Sequence, residues 1–116
     1  MGPGDIYWFP STRKPGGEAK ARPVLIIAEG PVGHYDDHVL VVAEIVSSGK
    51  CMTDPLVGDI LLDNWVDCGL ANPWLIRARK FWTTPRHLIN SRIGRVSTEQ
   101  WFEARSIAID IVSGDA

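Results

Sequence analysis

The sequence predicts a mainly β domain, a small barrel or strongly curved sheet covered by one C-terminal α-helix. Three observations carry that expectation. Val24-Leu25-Ile26-Ile27-Ala28 is an uninterrupted apolar run rich in branched side chains, which pack well on a pleated surface. A second run, Val39 to Val46, is also nearly continuous rather than alternating, as expected of a strand covered on both faces. The third is Ser97-Thr98-Glu99-Gln100, a capping box in which Ser97 caps a helix and Gln100 reaches back.

The elements follow in chain order. Gly4 to Phe9 reads as a first strand ended by Pro10, which offers the ladder no donor. Ser11 to Lys20 is polar and turns at Pro15-Gly16-Gly17. The central strand is entered at Pro23, because a proline is unfavourable inside a strand, and it stops at Glu29-Gly30-Pro31. Its first partner is expected to be the first strand, across the intervening loop.

The next strand, His38 to Val46, closes at Ser47-Ser48-Gly49, and Gly58 to Leu62 is a weaker strand. Trp74 to Trp82 is extended and partly alternating. Period two places Trp74, Ile76, Ala78 and Lys80 on one face and Leu75, Arg77, Arg79 and Phe81 on the other. Thr83-Thr84-Pro85 ends it, and His87 to Ile89 is a short extended piece or a single turn. From Thr98 to about Val112, Trp101, Ala104, Ala108 and Ile111 recur at helical spacing.

Composition narrows the function classes. The chain has 116 residues, which is room for a single domain over 1–116. Apolar residues make up 45%, an ordinary globular share that argues against disorder. The net charge of −2 excludes a uniformly basic nucleic-acid binder. The charge is nevertheless segregated: Gly69 to Thr98 holds no Asp or Glu but carries Arg77, Arg79, Lys80, Arg86, Arg92 and Arg95. Such a local basic field suits phosphate, and equally suits a solvated strand edge.

No signal peptide or membrane span is evident, so a cytoplasmic location is expected. Cys51 and Cys68 lack metal-ligand spacing. His34, Asp36 and His38 read better as part of a polar loop than as a metal trio, and no cofactor is expected. There is no Gly-rich phosphate loop.

The polar residues that draw attention are Glu18, Arg22, the Ser47-Ser48 pair, Arg77 and Arg79. A carboxylate beside arginines suits phosphodiester chemistry. The carboxylate takes a proton from a ribose 2'-hydroxyl and the arginines hold the phosphate and its growing charge. Arg77 and Arg79, about 7 Å apart along one strand face, suit successive phosphates. Glu18 and Arg22 equally suit a surface ion pair of small worth.

The sequence resembles the PemK/MazF family of toxins from bacterial toxin-antitoxin modules. Gly4-Asp5-Ile6 is similar to the family's first-strand start. Glu18-Ala19-Lys20-Ala21-Arg22-Pro23 followed by Val24-Leu25-Ile26 resembles its Glu-Gln-x-Gly-x-Arg-Pro before an apolar strand. Val46-Ser47-Ser48 falls where the family has a strand ending in Thr-Ser or Ser-Ser. Pro73 to Thr83 resembles the strand that carries a basic residue, one residue, then an acid. Ile93-Gly94-Arg95-Val96-Ser97 resembles Ile-Gly-Arg-Leu-Ser before the last helix.

The resemblance implies an SH3-like barrel of the CcdB/MazF type with a C-terminal helix. It also implies a homodimer, a cognate antitoxin protein as partner, and metal-independent cutting of single-stranded RNA at short sequences. It implies catalytic roles for Arg22 and Arg77 and phosphate donation by Ser47 or Ser48. Glu18 is the remaining candidate base and completes the catalytic set, and Lys20, Arg79 and Lys80 are expected from their charge to bind substrate. Arginine is a poor proton donor, so charge stabilisation is the role expected of Arg77.

The chain departs from the pattern at Ala19 and Ala21, which replace Gln and Gly. It has Gly17 where some members have a His, and Arg79 where the acid stands. Two other readings follow from these departures. One is a non-catalytic barrel that binds RNA or protein; the other is a toxin redirected to a target such as DNA gyrase. The five Trp and the apolar strands offer more apolar surface than so small a domain buries alone. Light scattering at micromolar concentration should therefore give the mass of a dimer; a strictly monomeric mass would count against the family-type architecture.

Overall fold

The computed structural model describes residues 2–11, 20–30, 38–46 and 58–114. Glu18, Ser47, Ser48, Cys51 and the stretch holding His34 and Asp36 lie outside them, and Lys20 enters only as the first backbone position of its strand. Six strands form one antiparallel sheet: β1 (Asp5–Ser11), β2 (Lys20–Gly30), β3 (Val39–Val46), β4 (Asp59–Leu62), β5 (Trp74–Pro85) and β6 (Arg92–Arg95). Their spatial order is β4-β5-β3-β2-β1-β6. The sheet curls into a half-barrel, and helix α1 (Thr98–Ser113) packs against it. Among the described residues no helix is long and apolar enough to cross a membrane.

Both faces of the central strands are covered, as the unbroken apolar runs predict. Leu25 and Ile27 of β2, Ala43 and Ile45 of β3 and Ile76 of β5 form the main core with Ala104 and Ala108 of α1. Val24, Ile26, Leu40 and Val42 point the other way and form a smaller core with Tyr7 and Ile89. A fully buried side chain such as Leu25 or Ile76 contributes roughly 2 kcal/mol.

The helix begins as the capping box requires: the Gln100 amide donates to Ser97 Oγ at 3.1 Å, and the Ser97 amide donates to Gln100 Oε1 at 3.0 Å. Gly114, at φ 78°, ends it in the left-handed conformation.

A bulge in β2 prepares the helix's docking point. Ile26 pairs with Val42 and Ala28 with Val41, so Ile27 has no opposite residue. The carbonyl of Ile27 instead accepts the Trp101 indole N–H at 2.8 Å.

Prolines corrected two expected boundaries. β1 runs through Pro10 to Ser11, and Pro23 lies inside β2, opposite Trp8. Trp8 spends its own backbone groups elsewhere: its N–H donates to Ser91 and its carbonyl accepts from Asn90. The described pairing of β2 with β3 starts only at Val24. Neither ladder therefore asks Pro23 for the N–H it lacks. β6 was not anticipated as a strand, and residues 86–88 form a single 3₁₀ turn.

The curl brings the turn after β4 against β6. A Cβ on Gly94 would stand 1.8 Å from the Cys68 carbonyl oxygen, and one on Gly69 would stand 2.5 Å from that of Ile93. Only glycine lets these backbones meet so closely. Asn64 and Gln100 exchange two side-chain hydrogen bonds beside this contact, at 3.1 and 2.7 Å. Gly94→Ala should destabilise the fold by about 2 kcal/mol or more. Gly2→Ala, which meets nothing within 4 Å, should not. Chemical denaturation of the two variants checks this.

Candidate functional site

Cross-strand register assembles the site on the sheet face turned away from α1. Residues opposite one another in a ladder share a face. Tyr7 faces Val24, Val24 faces Glu44, Glu44 faces Arg77 and Arg77 faces Asp59. Phe9 lies opposite Arg22 and Trp82 opposite Val42 on that same face. A row that is apolar on β1 and β2 thus becomes charged across β3, β5 and β4.

A bulge in β5 adds a cation. Ala43 pairs with Phe81, but the next residue, Glu44, pairs with Arg77. Ala78, Arg79 and Lys80 therefore have no opposite residue on β3, and the Ala78 N–H turns to the Gly58 carbonyl at 3.0 Å. The bulge breaks the two-residue alternation expected along this strand. Ile76 and Ala78 join the main core as expected, but so does Phe81, which was expected on the Arg77 face. Lys80 correspondingly crosses to the side of Glu44, with Nζ 3.6 Å from Oε2.

The result is an open groove of about 470 Å³ lined by Phe9, Arg22, Glu44, Lys80 and Trp82. Phe9 and Trp82 meet edge to face with ring centroids 5.6 Å apart. Arg22 is exposed at its rim. Paired aromatics beside cations suit a single nucleic-acid strand, because bases stack on rings while cations meet phosphates.

Arg77 and Arg79 sit on the β4 side of this row and both meet Asp59. Asp59 Oδ1 accepts from Arg79 Nη1 at 2.8 Å and lies 3.5 Å from Arg77 Nε. The Asp59 side chain is fully enclosed, so it depends on these cations for compensation. Of the sequence candidates, the structure gathers Arg22 and Lys80 at the groove and ties Arg77 and Arg79 to Asp59. Glu18, Ser47 and Ser48 lie outside the described residues.

Sequence reasoning missed Glu44 and Asp59. Glu44 carried a signal: it is a lone carboxylate within the apolar run Val39 to Val46. Asp59 had none beyond its place at a strand start.

Other reactive groups belong to the framework. The Cys68 thiol is pushed up from its ordinary value by burial and then by the Asp67 and Asp63 carboxylates. That leaves it protonated and a poor nucleophile. Asp5 receives Arg92 at 3.4 Å and Arg95 at 3.2 Å and holds β6 onto β1. Among the described residues no three His, Cys, Asp or Glu converge as a metal site.

Removing the acid at the centre of the arginine pair should be costly. Asp59→Ala leaves two partly buried guanidinium groups without it and should lower stability by about 3 kcal/mol. Lys80→Ala breaks a pair whose cation is 64% exposed and should cost under about 1 kcal/mol. Urea denaturation of both variants measures the difference.

Comparisons with known proteins agree on the fold. No protein-family model and no curated protein matches the chain. Among solved structures, the chain is similar to Mycobacterium tuberculosis toxin MazF-mt6, with 22% identity, a TM-score of 0.64 and coverage of 95% of this chain and 96% of that one. It is also similar to an endoribonuclease solved in complex with its cognate antitoxin from Mycobacterial species. That match has 14% identity, a TM-score of 0.61 and 96% coverage of each chain. The curled sheet with its terminal helix is therefore a fold shared with these proteins over nearly their whole length.

Proposed function

We propose that the chain is the toxin of a type II toxin-antitoxin pair, a metal-independent endoribonuclease that cuts single-stranded RNA at selected sequences. The carrying observation is the groove in which Arg22, Glu44 and Lys80 stand beside the Phe9–Trp82 pair. The fold shared with MazF-mt6 and with an endoribonuclease that binds an antitoxin supports the reading, as do the sequence motifs around Arg22 and Arg77.

In this reading Phe9 and Trp82 stack on bases, and Arg22 and Lys80 hold the backbone phosphates. Arg22 stands at the scissile phosphate, where charge grows as the bond to the leaving oxygen breaks. Arg77, held by Asp59, adds positive charge nearby, and Lys20 and Arg79 are the further substrate-binding cations that the sequence nominates. Ser47 and Ser48 donate to the phosphate. The nucleophile is the 2'-hydroxyl of the RNA itself, so the reaction needs a proton acceptor and a charge partner rather than a metal-activated water. Glu18 is the acceptor that the sequence motif nominates. The chain works as a homodimer in the cytoplasm, and an antitoxin protein blocks the groove.

One observation favours a second reading. Position 79 carries an arginine where the resembled family has an acid, and that arginine is bonded to Asp59. A barrel that binds RNA without cutting it would have no use for the missing acid.

The two readings separate in a cleavage assay with a long single-stranded RNA in EDTA, the ends mapped by primer extension. Discrete cuts are expected from the natural protein. Arg22→Ala should slow them by about 100-fold or more while leaving the melting temperature unchanged, because the side chain is exposed. RNA left intact by the natural protein would make binding without cleavage the better account.

A further inference from the structure

We propose that Glu44 is the catalytic carboxylate of this groove and accepts the proton of the 2'-hydroxyl. The inference rests on the endoribonuclease reading and assigns to Glu44 the proton acceptance that the sequence motif nominates for Glu18.

Glu44 is an anomaly as a structural residue. Its side chain is 14% exposed, and Oε2 is enclosed with no hydrogen-bond donor in reach among the described residues. Among the described residues the nearest cation, Lys80 Nζ, stands 3.6 Å away on a largely exposed side chain. Buried acceptors are almost always satisfied, and leaving one unsatisfied is costly. An aliphatic residue would continue the apolar run of β3 without that cost. The carboxylate thus costs stability where it stands, in a groove that also holds cations and aromatic rings suited to an RNA strand.

Its position suits the role. Glu44 faces Val24 across one ladder and Arg77 across the other. Arg22 lies two residues before Val24 on the same face, a diagonal neighbour within reach of a long side chain, and it lines the same groove as Glu44. The chain lacks an acid at position 79, but Glu44 places one directly opposite Arg77 on the adjacent strand. The carboxylate that β5 does not carry is supplied from β3.

The step balances without a co-reactant beyond water. Glu44 takes the proton from the 2'-hydroxyl. The 2'-oxygen forms a bond to phosphorus, and the bond from phosphorus to the 5'-oxygen breaks. The departing 5'-oxygen keeps the electron pair and takes a proton from water, and the hydroxide so formed is neutralised by the proton that Glu44 then releases, which restores the carboxylate. One product ends in a 2',3'-cyclic phosphate and the other in a 5'-hydroxyl. Arg22 balances the charge that gathers on the non-bridging oxygens.

The test compares the natural protein with Glu44→Gln, Glu44→Asp, Glu18→Gln and Arg22→Ala. The substrates are the long RNA in EDTA and a short oligonucleotide spanning a mapped cut with a 2'-deoxy ribose at the scissile position. Glu44→Gln should cut at least about 100-fold more slowly yet bind the 2'-deoxy oligonucleotide as the natural protein does. The natural protein should lose rate in acid, and the residual activity of Glu44→Gln should lack that fall. Glu44→Asp, which keeps the acid and moves it back, should retain part of the rate and the acid fall.

Cutting by Glu44→Gln at the natural rate, with Arg22→Ala inactive, overturns the role of Glu44 and leaves the endoribonuclease reading intact. Loss of the acid fall in Glu18→Gln but not in Glu44→Gln also overturns it, in favour of Glu18. Failure of the natural protein to cut any RNA overturns both readings. Circular dichroism melts of the Gln and Asp variants distinguish lost chemistry from lost fold, and a defect that tracks only with unfolding counts against the proposal.

Discussion

Much of this structure depends on a contact between two stretches of bare backbone. Cys68 and Gly69, in the turn after β4, meet Ile93 and Gly94 of β6, where no side chain fits between them. β4 and β6 are the opposite ends of the strand order, so this contact draws the ends of the sheet toward each other. Curvature then separates two interiors. The concave side, with α1 as its cover, holds the larger core. The other side keeps a smaller core to which β5 adds Trp82, and the groove opens along its margin, lined in part by Phe9, Val24 and Trp82.

Irregularities in the ladders do the rest. The bulge at Ile27 frees a carbonyl for Trp101. The longer bulge in β5 carries Lys80 across to Glu44 and turns Ala78 toward Gly58. An uninterrupted β5 would keep Lys80 and Phe81 on their expected faces, and Glu44 would lose its nearest cation. Bulges that re-aim side chains are common beside functional sites, and this one lies where two strands contribute opposite charges to one row.

Much of the fold was legible because local rules and burial agree. Branched apolar runs marked β2 and β3, and Ser97 with Gln100 marked the start of α1. β6 was hidden because its four residues, Arg92 to Arg95, include two arginines and a glycine and form a strand only through pairing with β1. Pro23 misled because a missing N–H matters only where a partner carbonyl waits for it. The candidate site was legible in its cations and not in its anions. Arg22, Arg77 and Lys80 stood out by charge and motif. Glu44 and Asp59 acquire meaning only through register, which sets a carboxylate on either side of Arg77, and a linear sequence does not display register.

Gln100 has a consequence for how the molecule comes apart. Its carbonyl oxygen accepts from the Ser97 amide and from Asn64, and its side-chain amide donates to Asn64 Oδ1. A single side chain thus belongs both to the first turn of α1 and to the turn that meets β6. Fraying at that end of the helix breaks bonds that hold the turn, and opening the turn strips the helix of part of its cap. The elements furthest apart in mechanical role, the cover and the seam, are bound into one cooperative unit. Helix release and loosening of the seam are thereby energetically coupled through Gln100.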